Sequence, residues 1–215
     1  MASSKNNKIS APVIQRLPRY YRMVSELEEA GVTRISSREL AERMGLTAAQ
    51  IRQDLSCFGG FGQQGYGYTV PLLREEFRSI LGLDHRYRAI LLGAGNLGRA
   101  IAYHIPFELE GYVLVGIFDR SPALIGTRIC DWTIRPETDL ESFCAAYHPD
   151  MAILCVPTGS APALVDRLLR AGVRNFWNLS HYDFSVAHPE ATVENVHLND
   201  SLMTLCYRMA NRPEP

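Results

Sequence analysis

The chain has 215 residues, 47% hydrophobic and 21% charged, with a net charge of −1 at neutral pH. This is the make-up of an ordinary globular protein with one large or two smaller domains. No apolar run approaches the ~20 residues of a membrane span, and the polar start at residues 1–8 lacks the apolar core of a signal peptide, which points to the cytoplasm. The five cysteines (Cys57, Cys130, Cys144, Cys155, Cys206) form no C-x-x-C pair and the six histidines no H-E-x-x-H, so reduced thiols are expected and no metal is indicated. The near-zero charge hides an asymmetry: residues 1–85 hold 11 Lys and Arg against 9 Asp and Glu, and the remainder 11 against 14. Residues 5–22 hold Lys5, Lys8, Arg16, Arg19 and Arg22 with no acid, which suits either an anionic partner or a solvated helix face.

In chain order, Ala11-Pro12 opens a helix, because proline is tolerated in a first turn. Leu17, Tyr20 or Tyr21, Val24 and Leu27 form its apolar face, and Gly31 is its expected left-handed cap. Two capping boxes follow, Ser36-x-x-Glu39 and Thr47-x-x-Gln50, separated by a turn at Gly45-Leu46. Ile51, Leu55 and Phe58 mark the inner face of the second helix. Helix, glycine turn, helix is the pattern of a helix-turn-helix. Alternating aromatics and glycines in residues 61–70 then predict a β-hairpin, placed as a wing. Candidate DNA contacts are Arg16 in the basic first helix, Ser36 and Thr47 at the helix starts, and Gln50, Arg52, Gln53 and Ser56 on the second. Gln64 and Tyr66 in the wing complete the set. Arginine and glutamine suit base edges, and arginine and serine suit phosphates. A further helix with Leu73 and Phe77 stops at Gly82.

The second half is organised around Ala89-Ile90-Leu91-Leu92-Gly93-Ala94-Gly95-Asn96-Leu97-Gly98. An apolar run enters Gly-x-Gly-x-x-Gly and a helical pattern leaves it, the order of a phosphate-binding strand–turn–helix. A second apolar run, residues 113–118, stops at Asp119, 21 residues past Gly98, where a carboxylate meets the ribose hydroxyls of NAD and repels a 2′-phosphate. Arg120 beside it softens that preference. Residues 120–136 show no periodicity and are expected to form a loop with one strand at most. Thr138-x-x-Glu141 is expected to cap the next helix. Strands over 151–156 and 173–179 end in Val156-Pro157-Thr158 and Asn178-Leu179-Ser180. In a doubly wound parallel sheet those ends line the ligand crevice. The cofactor-binding candidates are therefore Gly93, Ala94, Gly95, Asn96, Leu97, Gly98, Asp119, Val156, Pro157, Thr158 and Asn178. Asn178 fits either a hydrogen bond to a carboxamide or a turn. Residues 192–196 suit a last strand, and Leu198, Leu202, Leu205 and Met209 a final helix whose stripe packs on its own sheet or on a partner chain.

Ile51-Arg52-Gln53-Asp54-Leu55-Ser56-Cys57-Phe58-Gly59, Gly65-Tyr66-Gly67-Tyr68 and the glycine turn at residues 93–98, in that order behind a basic helix, resemble the bacterial Rex repressors. The resemblance runs from about Ala11 to Arg208. It implies a winged helix-turn-helix domain and a Rossmann-like domain in a homodimer with exchanged C-terminal helices. It also implies competition between NADH and NAD⁺ as the signal, with NADH releasing double-stranded operator DNA. By resemblance Arg52 contacts phosphate, and Gln53 stands at the base-reading position that is often lysine. Arg22 matches the arginine that contacts the nucleotide-binding domain in the DNA-bound form. Two switch positions depart from the family: its tyrosine is His104 here, beside Tyr103, and its aspartate is His197. Arg22 then lacks its carboxylate partner unless Asp200 substitutes. These departures at His104 and His197 are expected to alter the redox switch and its response to NADH, with a pH dependence that histidine can bring.

The expected division is a winged-helix domain over 1–81, a linker over 82–87, a Rossmann-like domain over 88–197 and an exchange helix and tail over 198–215. The competing reading is an NAD-dependent oxidoreductase with an accessory N-terminal domain. Only His181, near the Asn178 strand end, offers an acid/base group for it, and the roughly 40 residues after that strand are expected to be too few for a catalytic domain. A pure dimerisation protein is the third class, and it predicts no DNA binding.

Overall fold

The structure is a computed structural model that describes residues 9–59, 66–108 and 111–212. The chain divides into two compact units, 1–85 and 86–215.

In the first unit, α1 (Ala11–Glu29) starts with proline in its first turn and buries Val13, Leu17, Tyr20, Val24 and Leu27. Gly31 follows at φ +74°, the left-handed geometry that the sequence called for. α2 (Ser37–Met44) has the full capping box: the Ser36 hydroxyl accepts from the Glu39 amide at 3.1 Å, and the Glu39 carboxylate accepts from the Ser36 amide at 2.8 Å. Gly45, left-handed at φ +65°, turns the chain towards α3 (Ala48–Ser56). Only half of the second box forms: Thr47 accepts from the Gln50 amide at 3.1 Å, while the Gln50 side chain turns away to Asp54 at 2.7 Å. A charged acceptor outcompetes the neutral capping bond. Of the expected hairpin, the described part pairs at long range. β1 (Arg34–Ile35) runs antiparallel to β2 (Tyr68–Thr69), and α4 (Val70–Ile80) closes the unit by stacking Phe77 on Tyr20, ring centroids 5.9 Å apart. Residues 61–65 of the expected wing, Gln64 among them, lie outside the described residues.

The second unit is a seven-stranded sheet with one crossover point. β3 (Tyr87–Leu92) leads through α5 (Asn96–His104) to β4 (Tyr112–Asp119). The chain then moves outward through β5 (Arg128–Ile129) and β6 (Trp132–Pro136) before α6 (Leu140–Tyr147). It returns to the other side of β3 with β7 (Met151–Leu154), α7 (Ala161–Arg170), β8 (Asn175–Asn178) and β9 (Thr192–Asn195). The order is β5-β6-β4-β3-β7-β8-β9, parallel except for β5 against β6. The doubly wound, Rossmann-like sheet expected from the sequence is present, and its switch point falls between β3 and β7.

Several expectations change in detail. Tyr87, expected in the linker, is the first residue of β3. Residues 120–136 hold two strands rather than one at most, with only Ile129 and Ile134 buried on them, too few to show a period. Thr138 does not cap α6; it lies inside a 3₁₀ turn over Glu137–Asp139, and α6 has no side-chain cap. The last helix, α8 (Leu198–Ala210), has no buried residue. Leu198, Leu202, Leu205 and Met209 are each more than half exposed, so within this chain the stripe does not pack on its own sheet.

Candidate functional site

The crevice opens at the carboxyl ends of β3 and β7. Gly93 is at φ +95°, and a β-carbon there would run into the backbone carbonyl of Cys155, so the turn passes against the neighbouring strand end. At Gly95 a β-carbon would meet no protein atom; the space beside it is open. α5 begins at Asn96, directly behind that space, with its first amides unpaired within the helix. Asp119 reaches across from the end of β4. One oxygen accepts from the Ala94 amide at 2.7 Å and the other from the Ser121 amide at 2.7 Å. The carboxylate thus fixes the glycine turn as well as facing the cavity.

That cavity has a volume of about 560 Å³. Gly93, Gly95 and Asp119 lie on one wall, Arg120, Ser121, Pro122 and Glu137 beyond them, and Cys155, Val156, Pro157 and Ser160 opposite. Burial pushes the Cys155 thiol up to about 12. Thr158 ties the two strand ends together, its hydroxyl donating to the Ser180 carbonyl at 2.8 Å.

Asn178 does not face the cavity. It is fully buried; its amide donates to the Tyr182 carbonyl at 2.8 Å and to Asn195 Oδ1 at 2.7 Å, and its oxygen accepts from the Ser180 amide and hydroxyl at 3.1 and 2.6 Å. Both N–H donors have partners, which leaves none for a carboxamide. Within this chain the side chain serves the turn at residues 178–182.

In the first unit, α3 presents Arg52, Gln53 and Ser56 outward. Arg52 donates to the Ser37 hydroxyl at 3.1 Å and Ser56 donates to the Gln53 carbonyl at 2.7 Å. Tyr66, 69% exposed, is braced by Arg34, which donates to its carbonyl at 2.9 Å and lies 5.9 Å from its ring centroid. Behind α3, Asp54 is 1% exposed and accepts four hydrogen bonds: Arg16 at 2.7 and 2.8 Å, Tyr20 at 2.7 Å and Gln50 at 2.7 Å. Two expected DNA contacts, Arg16 and Gln50, are thus held inward by a carboxylate. Ser36 and Thr47 have their side chains on the helix amides. Arg22 and His104 are exposed. His197 Nδ1 lies 3.2 Å from His181 Nδ1, so one ring supplies the N–H and the other the lone pair.

Among the described residues, no group of three or more His, Cys, Asp or Glu could hold a metal ion, and no helix is long and apolar enough to cross a membrane.

Two family models match, "Putative DNA-binding protein N-terminus" over residues 8–56 and "CoA binding domain" over residues 84–182. The redox-sensing transcriptional repressor Rex of Caldanaerobacter subterraneus is 51% identical over 96% of this chain and 92% of its own length. That of Clostridium botulinum is 49% identical over 95% of this chain and 97% of its own. A crystal structure of RSP in complex with β-NAD⁺ and operator DNA superposes with a TM-score of 0.88, at 50% identity over 95% of this chain and 94% of that one. RSP in complex with β-NADH superposes at 0.86.

The chain belongs to the Rex family.

Rex relatives that span the chain are repressors, not dehydrogenases, and His181, the lone acid/base candidate for an enzyme, is occupied by His197. In this Rex chain Gly93 and Gly95 of the glycine turn line the cavity, as do Asp119, Val156 and Pro157. Ser121, Pro122, Glu137, Cys155 and Ser160 line it too and were not among the candidates, since no local pattern marks a residue that reaches a crevice from a strand end.

The role of Asp119 can be separated into two by substitution. Asp119→Asn keeps an oxygen for the Ala94 amide but loses the charge. NADH affinity is expected to fall about tenfold, and rejection of NADPH to fall further. Asp119→Ala is expected to lower the melting temperature as well. Coenzyme titration with thermal melting checks both, and an unchanged NADPH/NADH ratio in Asp119→Asn would remove Asp119 from the ribose site.

Proposed function

We propose that this Rex protein is a dimeric cytoplasmic repressor that reads the NADH/NAD⁺ ratio, with NADH releasing it from operator DNA. Residues 1–81 form the duplex-binding arm, 82–86 the link, 87–197 the coenzyme domain and 198–215 the helix exchanged with a second copy. The observation that carries this reading is the open crevice over the glycine turn and Asp119, on one chain with a helix-turn-helix whose α3 presents Arg52 and Gln53 outward. NADH acts by binding the DNA-incompetent arrangement more tightly than the competent one; equal affinity for both would shift nothing.

The apolar face of α8, on which no residue is buried, supports the dimer. So does an apolar hollow of about 460 Å³ on the sheet, lined by Ile105, Phe107, Tyr112, Ile153 and Trp177. Surfaces of this kind are the ones a second copy covers. Arg22, His104 and His197 are the switch positions, with Asp200 as the carboxylate available to Arg22. Gln53 prefers adenine by geometry, so the operator differs from that of lysine-bearing members at that base.

Gel-shift titration on operator fragments at fixed salt, with and without NADH and NAD⁺, tests the reading. NADH weakens binding and NAD⁺ does not; equal operator affinity with and without NADH, or a monomer by sedimentation at the same concentration, would sink it. In the same assay Arg52→Ala weakens binding to every sequence and lowers the salt slope by about 1, the mark of a phosphate contact. A loss confined to one base position would make Arg52 a base reader instead.

A further inference from the structure

We infer that Glu137, held by Arg167, reads the amino edge of the adenine ring in the bound dinucleotide. This rests on the coenzyme reading above. The glycine turn at the end of β3 takes the phosphates, and Asp119 at the end of the neighbouring β4 takes the ribose. The next strand outward is β6, about 4.8 Å further on, and its register sets Pro136 opposite Asp119. Glu137 is the residue after Pro136, in the 3₁₀ turn past the strand end, and lines the same cavity. The adenosine half runs from phosphate to ribose to base, so the base is carried towards the end of β6.

The side chain there is fixed rather than free. Arg167 on α7 donates to Glu137 Oε1 at 2.5 Å and to its backbone carbonyl at 2.8 Å. The same guanidinium grips Glu141 at 2.6 and 2.9 Å. Glu141 already takes a two-pronged grip, so the bond to Glu137 goes beyond what docking α7 on α6 requires. Among the described residues Glu137 Oε2 has no partner, and the side chain is 28% exposed. A carboxylate accepts and cannot donate, so the ligand atom it suits is an N–H. Adenine offers its exocyclic amine. Hypoxanthine carries a carbonyl oxygen at that position and is repelled, and Arg167 keeps the carboxylate from swinging aside.

Titration with NADH and with reduced nicotinamide hypoxanthine dinucleotide separates the outcomes. The wild-type chain binds NADH about tenfold more tightly, the size of one hydrogen bond at a partly exposed site. Glu137→Gln keeps an oxygen for Arg167 and adds an N–H for the hypoxanthine carbonyl, so the preference disappears or inverts. Arg167→Met reduces the preference and leaves operator affinity of the coenzyme-free protein unchanged. Equal binding of the two dinucleotides by the wild type overturns the inference, as does a preference retained in Glu137→Gln. Failure of the wild type to bind either one overturns the coenzyme reading beneath it.

Discussion

Asp54→Ala is expected to unfold the first unit and abolish operator binding while coenzyme binding survives. The carboxylate is almost wholly buried and accepts from Arg16, Tyr20 and Gln50, joining α1 to α3. Removal leaves an arginine, a phenol and an amide facing a site with no acceptor. Breaking such a buried pair from one side costs about 3–5 kcal/mol, a large share of the ~5–15 kcal/mol that holds a typical protein folded. Thermal melting should resolve a transition for the first unit at much lower temperature, with NADH titration of the second unachanged. Retained operator affinity with an unaltered melt would show that the network is dispensable.

Acid should produce the same loss more gently. Burial alone would push the Asp54 carboxyl up, but the hydrogen bonds from Arg16, Tyr20 and Gln50 outweigh it and hold the group below the ordinary carboxylate range. A group lowered in the folded state contributes its full stability above its unfolded value, near ~4, and loses it as pH falls through the folded one. The first unit should therefore keep its stability down to about pH 4 and lose it below.

Gly98→Ala should have the largest effect in the second unit. Gly98 is buried in the first turn of α5, and a β-carbon there would overlap the Gly93 carbonyl and lie 3.1 Å from the Leu91 side chain. The helix must move off the strand, at a cost of about 1–3 kcal/mol for overpacking, and its amides leave the place where they meet phosphate. NADH affinity should fall about a hundredfold, the ~2.7 kcal/mol expected when several backbone donors are misplaced together. Operator binding by the coenzyme-free protein should persist. Gly95→Ala is the control: its β-carbon meets no protein atom, so the melt should hold while the methyl occupies ligand space. Normal NADH affinity in Gly98→Ala would mean that the close approach of α5 is not what builds the site.

What the sequence made legible was local. The glycine turn, the Ser36 box, the left-handed Gly31 and the turn at Gly45 each depend on neighbours within a few residues, and each was readable from spacing alone. What escaped depends on distance along the chain. Arg16 resembles any cation of a basic stretch until Asp54, 38 residues later, is folded against it. The two-residue β1 is too short to show alternation, and its partner β2 lies beyond two helices. Asn178 at a strand end is the right residue for a ligand, and only its four internal hydrogen bonds show that it has none to offer. Glu137 carried no signal, because its place at the crevice is set by the register of β6 on β4.

Cys155 gives the molecule a certain blindness. It stands in the wall of the crevice, and burial keeps its sulfur protonated far above any physiological pH. It is the thiolate that attacks a peroxide or a disulfide, so this residue, held as the thiol, offers oxidants almost no nucleophile. That wall of the crevice is thus blind to oxidants, which would meet the exposed Cys57, Cys130 and Cys206 first.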